Sequence, residues 1–254
     1  MPQNHATTVT RLAGYLDTAE RITVLTGAGV SAASGVPTFR GSEGLWRTHR
    51  PEELATAEAF ERDPALVWEW YDWRRQLVAA CQPNRAHEVL VHWSRSFPHF
   101  TLVTQNVDGL HERAGTREVV RFHGSLWELC CWNRCAASPE RWRDETAPLE
   151  QRPPRCPGCG GFARPGVVWF GEAIPIDVLD RSLNSTNCDL FLTVGTSSLV
   201  YPAASLVQQA KARGAVTAEI NLEVTPASDL VDFTLRGPAE QILAEIDDAR
   251  PSRR

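Results

Sequence analysis

Residues 21–26 form a run rich in β-branched side chains, RITVLT, and the segment 27–32 that follows it reads GAGVSA. This segment matches G-x-G-x-x-A. Directly after a buried strand, such a turn lets the backbone approach a pyrophosphate and points amide N–H groups at its charge. A tight turn without a ligand gives the same pattern. The motif therefore predicts the strand–turn–helix start of a sheet, and it indicates a binding site only together with other evidence.

Further apolar runs alternate with helical patterns along the chain. Strand candidates lie at 100–104, 119–122, 190–194 and 216–220, and helix candidates lie at 12–19, 84–93, 203–213 and 239–249. This alternation predicts an α/β fold with a doubly wound, parallel, Rossmann-like sheet. A helical stretch at 41–80 and a Cys-rich stretch at 130–165 interrupt the alternation, and we expect both to be insertions that form a smaller lobe.

Charge and hydropathy exclude several classes of protein. The 254 residues carry a net charge of −5, and Lys211 is the only lysine among the 26 basic residues. This balance argues against a nucleic-acid partner or a polybasic membrane anchor. No apolar stretch is long enough for a membrane span, and no signal-peptide pattern is visible. We expect a cytoplasmic protein that needs no oligomer, with its seven cysteines present as thiols or metal ligands.

The region after the glycine turn disfavours an ordinary NAD-dependent dehydrogenase. The dehydrogenase fingerprint places an acidic residue about 20 positions after the glycines, at the end of a second strand. Here that region reads RPEE at 50–53 and opens a helical pattern.

Two cysteine pairs, Cys131-x3-Cys135 and Cys156-x2-Cys159, are separated by 20 residues. Such pairs can place four thiolates at about 2.3 Å from one tetrahedral Zn²⁺, and four thiolates leave no open position for catalysis. We therefore expect a structural zinc site, for which Cys130 is a competing first ligand. The small domain then comprises a helical module, 41–81, and a zinc-binding ribbon module, 126–165, and the Rossmann-like domain comprises 1–40, 82–125 and 166–254.

Polar side chains follow two of the predicted strands. Gln105, Asn106 and Asp108 come after 100–104, and His123 comes after 119–122. Doubly wound sheets bind ligands at the C-terminal ends of their strands, where amide and carboxyl groups can hold a ribose and a carboxamide. A capped loop explains any one of the three, but explains all of them together poorly. A lone histidine is more often structural, but its place at a strand end makes His123 a candidate general base.

Seven features occur in order: GAGVSAASGVPTFRG, TQNVDGLHERAG, FHGSL, the cysteine pairs, PGVVWFGE, VGTSSLVYPAA and INLE. Together they resemble the sirtuin family of NAD-dependent protein deacylases, from about Leu12 to the last helix. The resemblance implies cleavage of the nicotinamide–ribose bond of NAD and transfer of an acyl group from a lysine to ADP-ribose. It also favours Cys131 over Cys130, because Cys131 lies at the family's usual distance after His123.

The resemblance further implies a role for individual residues. Neutral His123, with Asn106, is expected to be catalytic, so activity should fall as the pH drops through the His123 pKa. The substrate peptide is expected to add as a strand along a segment that includes Val168, Phe170, Gly171 and Glu172. The residues expected to bind NAD are Gly27, Ala28, Gly29, Thr38, Phe39, Arg40, Trp46, Gln105, Asn106, Asp108, Gly195, Thr196, Ser197, Asn221, Leu222, Glu223 and Ala239.

The segment 70–74, WYDWR, matches the Tyr-x-x-Arg signature of class III sirtuins, which implies removal of succinyl or malonyl groups. Tyr71 and Arg74 are three residues apart and share a helix face. A guanidinium offers a carboxylate two parallel charge-assisted bonds, and a phenol adds a third. Thr38, where many deacetylases carry Asp, fits the same class. Bacterial members often remove acetyl groups too, so a dual activity is expected.

Two alternatives use the same residues. A protein mono-ADP-ribosyltransferase would use the same NAD site with a different nucleophile, and a zinc-bearing module could read acyl-lysine or NAD without catalysis. Labelled NAD separates the first alternative, because a transferase leaves label on protein. Replacement of His123 separates the second, because a pure binding module loses nothing functional.

Overall fold

A computed structural model describes residues 4–38 and 49–251, and its centre is a six-stranded parallel sheet in the order β3-β2-β1-β7-β8-β9. A second, antiparallel sheet has the order β5-β4-β6. The strands are β1 (Arg21–Thr26), β2 (His99–Thr104), β3 (Val119–Arg121), β4 (Gly124–Cys131), β5 (Trp142–Arg143), β6 (Ala163–Val167), β7 (Leu190–Val194), β8 (Val216–Asn221) and β9 (Phe233–Arg236). The prediction of a parallel, doubly wound sheet with a smaller lobe is confirmed.

The helices begin and end at residues with clear local causes. Asn84 caps α5 with its side chain, and Asp63 caps α4, which has Pro64 in its first turn. The helices are α1 (His5–Thr18), a 3-10 helix (Ala28–Ser34), α2 (Pro51–Leu54), α3 (Ala57–Arg62), α4 (Pro64–Ala80), α5 (Arg85–Ser96), α6 (Leu110–Ala114), α7 (Ile176–Ser185), α8 (Ser205–Ala212) and α9 (Ala239–Asp248). Among the described residues, none of these helices is long and apolar enough to cross a membrane.

Helices cover both faces of the parallel sheet, which explains its continuous apolar strands. In β7, Leu190 and Leu192 face a core shared with α1, α5 and α9, whereas Phe191 faces a second core that includes residues of α8. Successive residues of a strand point to opposite faces of the sheet, and all residues of β7 are buried. Strand β7 therefore presents apolar side chains on both faces. The sheet is therefore rigid enough to position loops at its edges.

A third core belongs to the smaller lobe. It combines apolar residues of α2, α3 and α4 with residues of β4 and β6. The Trp68 indole of α4 also donates a hydrogen bond of 2.8 Å to the carbonyl of Ala163 in β6. The two stretches that interrupt the alternation of the sequence thus pack against each other, and the domain boundaries given above stay a prediction.

Some elements differ from expectation. Helix α1 begins at His5 rather than Leu12, because Asn4 caps it with a side-chain bond to the amide of Ala6. Helices α6 and α7 and strand β9 were not expected. The Cys-rich stretch contains β5, the end of β4 and most of β6, which the loss of periodicity had hidden.

Candidate functional site

The parallel strands end at one edge of the sheet, and the loops after β1 and β7 meet there. From β1 and β7 the chain adds strands outward in opposite directions, so the strand order reverses between these two strands. Doubly wound sheets bind their ligands at this position. Segment 27–29 follows β1, and segment 195–197 follows β7. The sequence-predicted residues at both strand ends are thus brought together.

The glycines of this turn allow two loops to touch. A Cβ at Gly29 would lie 2.7 Å from the Cα of Gly195, and a Cβ at Gly27 would lie 2.8 Å from the carbonyl oxygen of Gly195. The amides of Gly27 and Gly29 donate to the carbonyls of Val194 and Gly195, at 3.0 and 2.8 Å. These two N–H groups are therefore not available to bind a phosphate, contrary to the expectation. Contact between the glycines and the cofactor stays a prediction.

Gln105 connects the loop after β2 with the loop after β7. Its side-chain amide donates to the hydroxyl of Thr196 at 2.9 Å, and its backbone amide donates to the carbonyl of Thr26 at 2.9 Å. Thr196 is buried, and Ser197 next to it is partly exposed. The side chains predicted to bind the cofactor from β2 and β7 thus form one wall.

Asn106 and Asp108 share a partner in Ser31, a residue outside the predicted set. The Asn106 side-chain amide donates to the Ser31 hydroxyl at 3.2 Å, and that hydroxyl donates to the Asp108 carboxylate at 2.8 Å. The Leu110 amide donates to the other Asp108 oxygen at 2.8 Å. Burial nevertheless raises the pKa of Asp108 above its ordinary value.

Two buried histidines lie beneath these groups. The Asn84 amide donates to His87 Nδ1 at 3.2 Å, so His87 carries its proton on Nε2, which faces the Ser31 hydroxyl at 3.4 Å. The Thr26 hydroxyl lies 2.9 Å from His111 Nε2. Burial lowers the pKa of His87 to about 3 and that of His111 to about 4. Both rings are therefore neutral at pH 7 and hold the polar residues above them in place.

These histidines predict a loss of stability in mild acid. Below pH 6.5, His87 and His111 become protonated in the unfolded chain but stay neutral in the folded protein. The free energy of unfolding therefore falls as the pH drops from about 6.5 towards about 4. We expect urea denaturation to give a value about 2–3 kcal/mol lower at pH 5.5 than at pH 7.5.

A matched pair of variants tests this assignment. His111→Gln should reduce the pH dependence and leave the parts due to His87 and His123, whereas His99→Gln, at an exposed position in β2, is the control that should leave it unchanged. An unaltered pH dependence in the His111 variant contradicts the assignment. If that variant does not fold, NMR titration of the imidazoles in the parent protein decides, because both should stay neutral down to pH 5.

His123 lies after β3 with its tautomer defined by a backbone group. Its Nδ1 donates to the carbonyl of Gln105 at 3.1 Å, which leaves Nε2 of the neutral ring free to accept a proton. The His123 carbonyl in turn accepts a bond of 2.9 Å from the Val168 amide. Burial lowers the pKa of His123 below its ordinary 6.5, so the ring is neutral at pH 7.

The segment expected to receive a peptide follows β6. Strand β6 ends at Val167, and the chain from Val168 has no regular secondary structure and turns at Phe170 and Gly171. The Val168 and Phe170 amides donate to the protein's own carbonyls, so a peptide must pair with other backbone groups of this segment. Glu172 binds Arg164 at 2.5 Å and the Trp169 amide at 2.8 Å, which gives it a role in shaping the turn.

Tyr71 and Arg74 lie on α4, as predicted, and contact the same region. Tyr71 is buried, and its hydroxyl accepts a 2.9 Å bond from the indole of Trp169, in the middle of the peptide segment. The Arg74 guanidinium lies 5.5 Å from the centre of the Tyr71 ring and 4.8 Å from that of Trp70. Its charge also acts on the Asp108 carboxyl and partly offsets the rise of its pKa. Arg74 thus lies near both the peptide segment and the polar wall.

The opposite end of the predicted cofactor site follows β8 and β9. The Asn221 side chain donates to the carbonyl of Glu223 at 3.0 Å, and Leu222 is 64% exposed, which leaves an open apolar surface for a base. Ala239 begins α9, and its side chain is buried in the core. Buried Glu219 lies beneath this loop, where Arg236 binds it at 2.7 Å.

Four cysteines converge in the smaller lobe. The sulfurs of Cys131, Cys135, Cys156 and Cys159 all lie within 4.8 Å of one another, and two of the Sγ–Sγ distances are 3.6 Å. Tetrahedral zinc with Zn–S bonds of about 2.3 Å needs sulfurs about 3.8 Å apart, so the cluster fits one structural Zn²⁺. Cys130 lies outside this cluster, with its sulfur 4.0 Å from the Arg164 and Pro165 carbonyls, and this placement is consistent with the choice of Cys131.

Some predicted residues lie elsewhere. Thr38 is exposed at the end of the first described range, and Ala28 is partly buried in the 3-10 helix after β1. Phe39, Arg40 and Trp46 lie outside the described residues. Ser31 was not predicted as a site residue, although it occupies the last x of the G-x-G-x-x-A motif. A hydroxyl at this position of the motif could have indicated its role.

The architecture is that of a doubly wound α/β protein whose smaller lobe carries a four-cysteine cluster that could hold zinc, and known proteins narrow that class. The profile of the Sir2 family matches residues 27–202. The "NAD-dependent protein deacylase" of Aquifex aeolicus (strain VF5) is 50% identical over 228 residues, which cover 89% of this chain and 94% of that protein. The chain belongs to the Sir2 family, the sirtuins.

Solved structures agree with this membership. A Sir2 homolog–NAD complex superposes with a TM-score of 0.87 at 43% identity, over 95% of this chain and 94% of that chain. A Sir2 protein bound to acetylated peptide superposes with a TM-score of 0.82 at 25% identity, over 94% of this chain and 97% of that chain. The six-stranded sheet and the smaller lobe are therefore the Sir2 fold.

Proposed function

We propose that this protein is an NAD-dependent lysine deacylase that prefers acidic acyl groups such as succinyl and malonyl and also removes acetyl. Family membership supports the general activity, NAD-dependent protein deacylation. The acyl preference rests on one observation: the Tyr71–Arg74 pair contacts the expected peptide segment through Trp169 and lies near Asp108 of the expected NAD site. A cytoplasmic location stays a prediction.

The polar wall fits NAD by its chemistry. Amide, hydroxyl and carboxylate groups of Gln105, Asn106 and Asp108 are held in place by Ser31 and Thr196, and such groups suit a ribose and a carboxamide. When bound, NAD supplies a ribose carbon that can accept the acyl oxygen as nicotinamide leaves. Asn106 is held in position to orient the reacting groups. Its backbone amide donates to the Thr104 hydroxyl, and its side-chain amide donates to the Ser31 hydroxyl.

His123 has the properties of the base in this reaction. Since Nδ1 is bonded to the Gln105 carbonyl, the free Nε2 is the atom that takes a proton from a ribose hydroxyl. Burial keeps the ring neutral, and neutrality is the state that a base needs. The backbone bond from Val168 joins this histidine to the segment that is expected to hold the peptide.

The peptide is expected to lie between the two lobes. A groove of about 870 Å³ is lined by residues of the zinc module together with Val167, Val168 and Glu172. We expect backbone pairing along this segment to direct the acylated lysine towards Trp169 and the polar wall. Strand addition contributes affinity through the main chain and little side-chain specificity, so we expect varied substrate sequences.

Arg74→Met tests the acyl preference. A guanidinium–carboxylate pair makes two charge-assisted bonds, and the neutral acetyl group makes none with it. We expect kcat/KM for a succinyl-lysine peptide to fall by about 100-fold, which corresponds to about 2.7 kcal/mol, while kcat/KM for the acetyl version falls by less than about fivefold. The measurement is NAD-dependent product formation from one peptide with both acyl groups.

Two controls accompany this variant. Arg74→Lys keeps the charge but loses the planar fork, so it should retain an intermediate preference for succinyl. Arg85→Met, at an exposed position of α5, should change neither rate. Equal losses for both acyl groups in Arg74→Met would show that Arg74 only supports the packing of Trp70 and Tyr71.

The ADP-ribosyltransferase alternative is not favoured, because the matched relatives are named for deacylation. NAD labelled in its adenosine half distinguishes the two reactions. Label should appear in a small acyl-ADP-ribose product, and label that stays on protein would favour the alternative.

A further inference from the structure

Lys211 is the only lysine of this chain, and it lies in the last turn of α8. We propose that Lys211 is an acylation site of the protein itself and that only a second copy of the enzyme removes the acyl group. This inference rests on the deacylase function proposed above. It assigns to the enzyme one defined self-substrate, formed by an acyl thioester.

The fold separates Lys211 from the site of its own chain. Helix α8 leads through Gly214 into the start of β8, whereas the expected NAD-binding residues follow the end of β8. The six residues of β8 span about 20 Å at about 3.3 Å per residue. Lys211 therefore lies at the opposite edge of the sheet, and an acyl group on it cannot reach His123 of the same molecule.

The surroundings of Lys211 have room for an acyl chain. A groove of about 560 Å³ is lined by Lys211, Arg11, Tyr15, Asp232 and other residues at the starts of β8 and β9. Lys211 Nζ donates to Asp232 at 2.9 Å, and its side chain is 44% exposed. Asp232 also accepts bonds from the amide and hydroxyl of Thr217, so this carboxylate keeps partners after acylation.

The chemistry at Lys211 is an ordinary acyl transfer. The free-base amine attacks the thioester carbonyl, a C–N bond forms, the C–S bond breaks, and the departing thiolate takes up the proton that the amine loses. The resulting amide is neutral and no longer pairs with Asp232. Removal consumes one NAD and one water, and it yields nicotinamide, acyl-ADP-ribose and the free lysine.

The helix makes this self-substrate a slow one. Strand addition requires an extended backbone, but Lys211 is helical. The Gly214 amide closes the turn by donating to the Lys211 carbonyl at 2.9 Å, and the Arg213 side chain anchors it to the Leu183 carbonyl at 2.9 Å and the Thr186 hydroxyl at 2.6 Å. This last turn must open before a second molecule can bind the segment.

The experiment separates the substrate from the catalyst. His123→Tyr protein is treated with succinyl-CoA and mapped by mass spectrometry, with the N-terminal amine distinguished from Lys211. This acylated protein should keep its Lys211 acyl group with NAD alone. Added Lys211→Arg enzyme should remove it at a rate proportional to the catalyst concentration, and at least tenfold more slowly than from a free peptide of residues 206–216 acylated at the same lysine.

A further variant tests the role of the turn. Arg213→Met in the acylated protein should raise the rate of removal severalfold, towards that of the peptide. The inference is overturned if Lys211 is not acylated, if acylated parent enzyme clears itself at a rate independent of its concentration, or if catalyst deacylates the peptide but not the protein. Failure on peptide and protein alike overturns the proposed function together with the inference.

Discussion

Replacing His123 with tyrosine is expected to lower kcat/KM for acyl-lysine peptides by two to four orders of magnitude, which is about the contribution of a positioned general base. The phenol does not accept a proton near pH 7, and the bond from His123 Nδ1 to the Gln105 carbonyl, which selects Nε2 as the base, is lost. Peptide turnover with NAD measures the loss. Binding of NAD should change little, because the wall of Gln105, Asn106 and Asp108 remains.

The pH profile of the parent enzyme provides an independent readout. Burial lowers the pKa of His123, so the neutral form persists below pH 6.5, and kcat/KM should fall only as the pH drops through that lowered pKa. His99→Tyr, on an exposed part of β2, is the matched control and should keep the full rate. An acid limb above pH 6.5, or a fully active His123 variant, would contradict the assignment.

Loss of the zinc site is expected to unfold the smaller lobe. In Cys156→Ser one of four thiolates is lost, and structural zinc contributes about 10–16 kcal/mol to the folding of small zinc modules. We expect zinc content to drop from one ion to none per chain, with deacylation lost as a consequence. Metal analysis and thermal unfolding of the variant measure the effect, and chelation of the parent protein should reproduce it.

The neighbouring cysteine supplies a sharp control. Cys130→Ser changes the residue directly before Cys131, but its sulfur faces the Arg164 and Pro165 carbonyls and lies outside the cluster. This variant should keep its zinc, and Cys131→Ser should lose it. The reverse result would assign the first ligand to Cys130.

The central fold could be predicted because each buried strand carries its own signal. Runs such as RITVLT and LFLTV are apolar on both faces of the sheet and stop at a glycine. Strand β9 has only four residues, alternately buried and partly buried, and lies at the sheet edge. Helix α7 is a surface helix whose apolar residues Val178, Leu179 and Leu183 are spaced at helical intervals and pack on the core, so the sequence did carry a signal for it.

The site was predictable only where it is local in sequence. Gln105, Asn106 and Asp108 follow one strand, so their convergence comes from the position of the strand end. Ser31 and His87, by contrast, contact each other across 56 residues, and no spacing in the sequence announces such a pair. The missed residues therefore support the predicted ones from distant segments, and only the packed fold brings them together.

One hydrogen-bonded junction determines which parts of this enzyme can move independently. Gly124, directly after His123, pairs with Val167, directly before Val168, and the backbone there is so close that a Cβ on Gly124 would lie 2.2 Å from the Gly166 carbonyl oxygen. The proposed base and the segment expected to dock the peptide are therefore joined directly by backbone pairing. Because His123 Nδ1 also donates to the Gln105 carbonyl of the polar wall, a change in the angle between the lobes should leave the distances among the proposed base, the expected peptide segment and the polar wall unchanged.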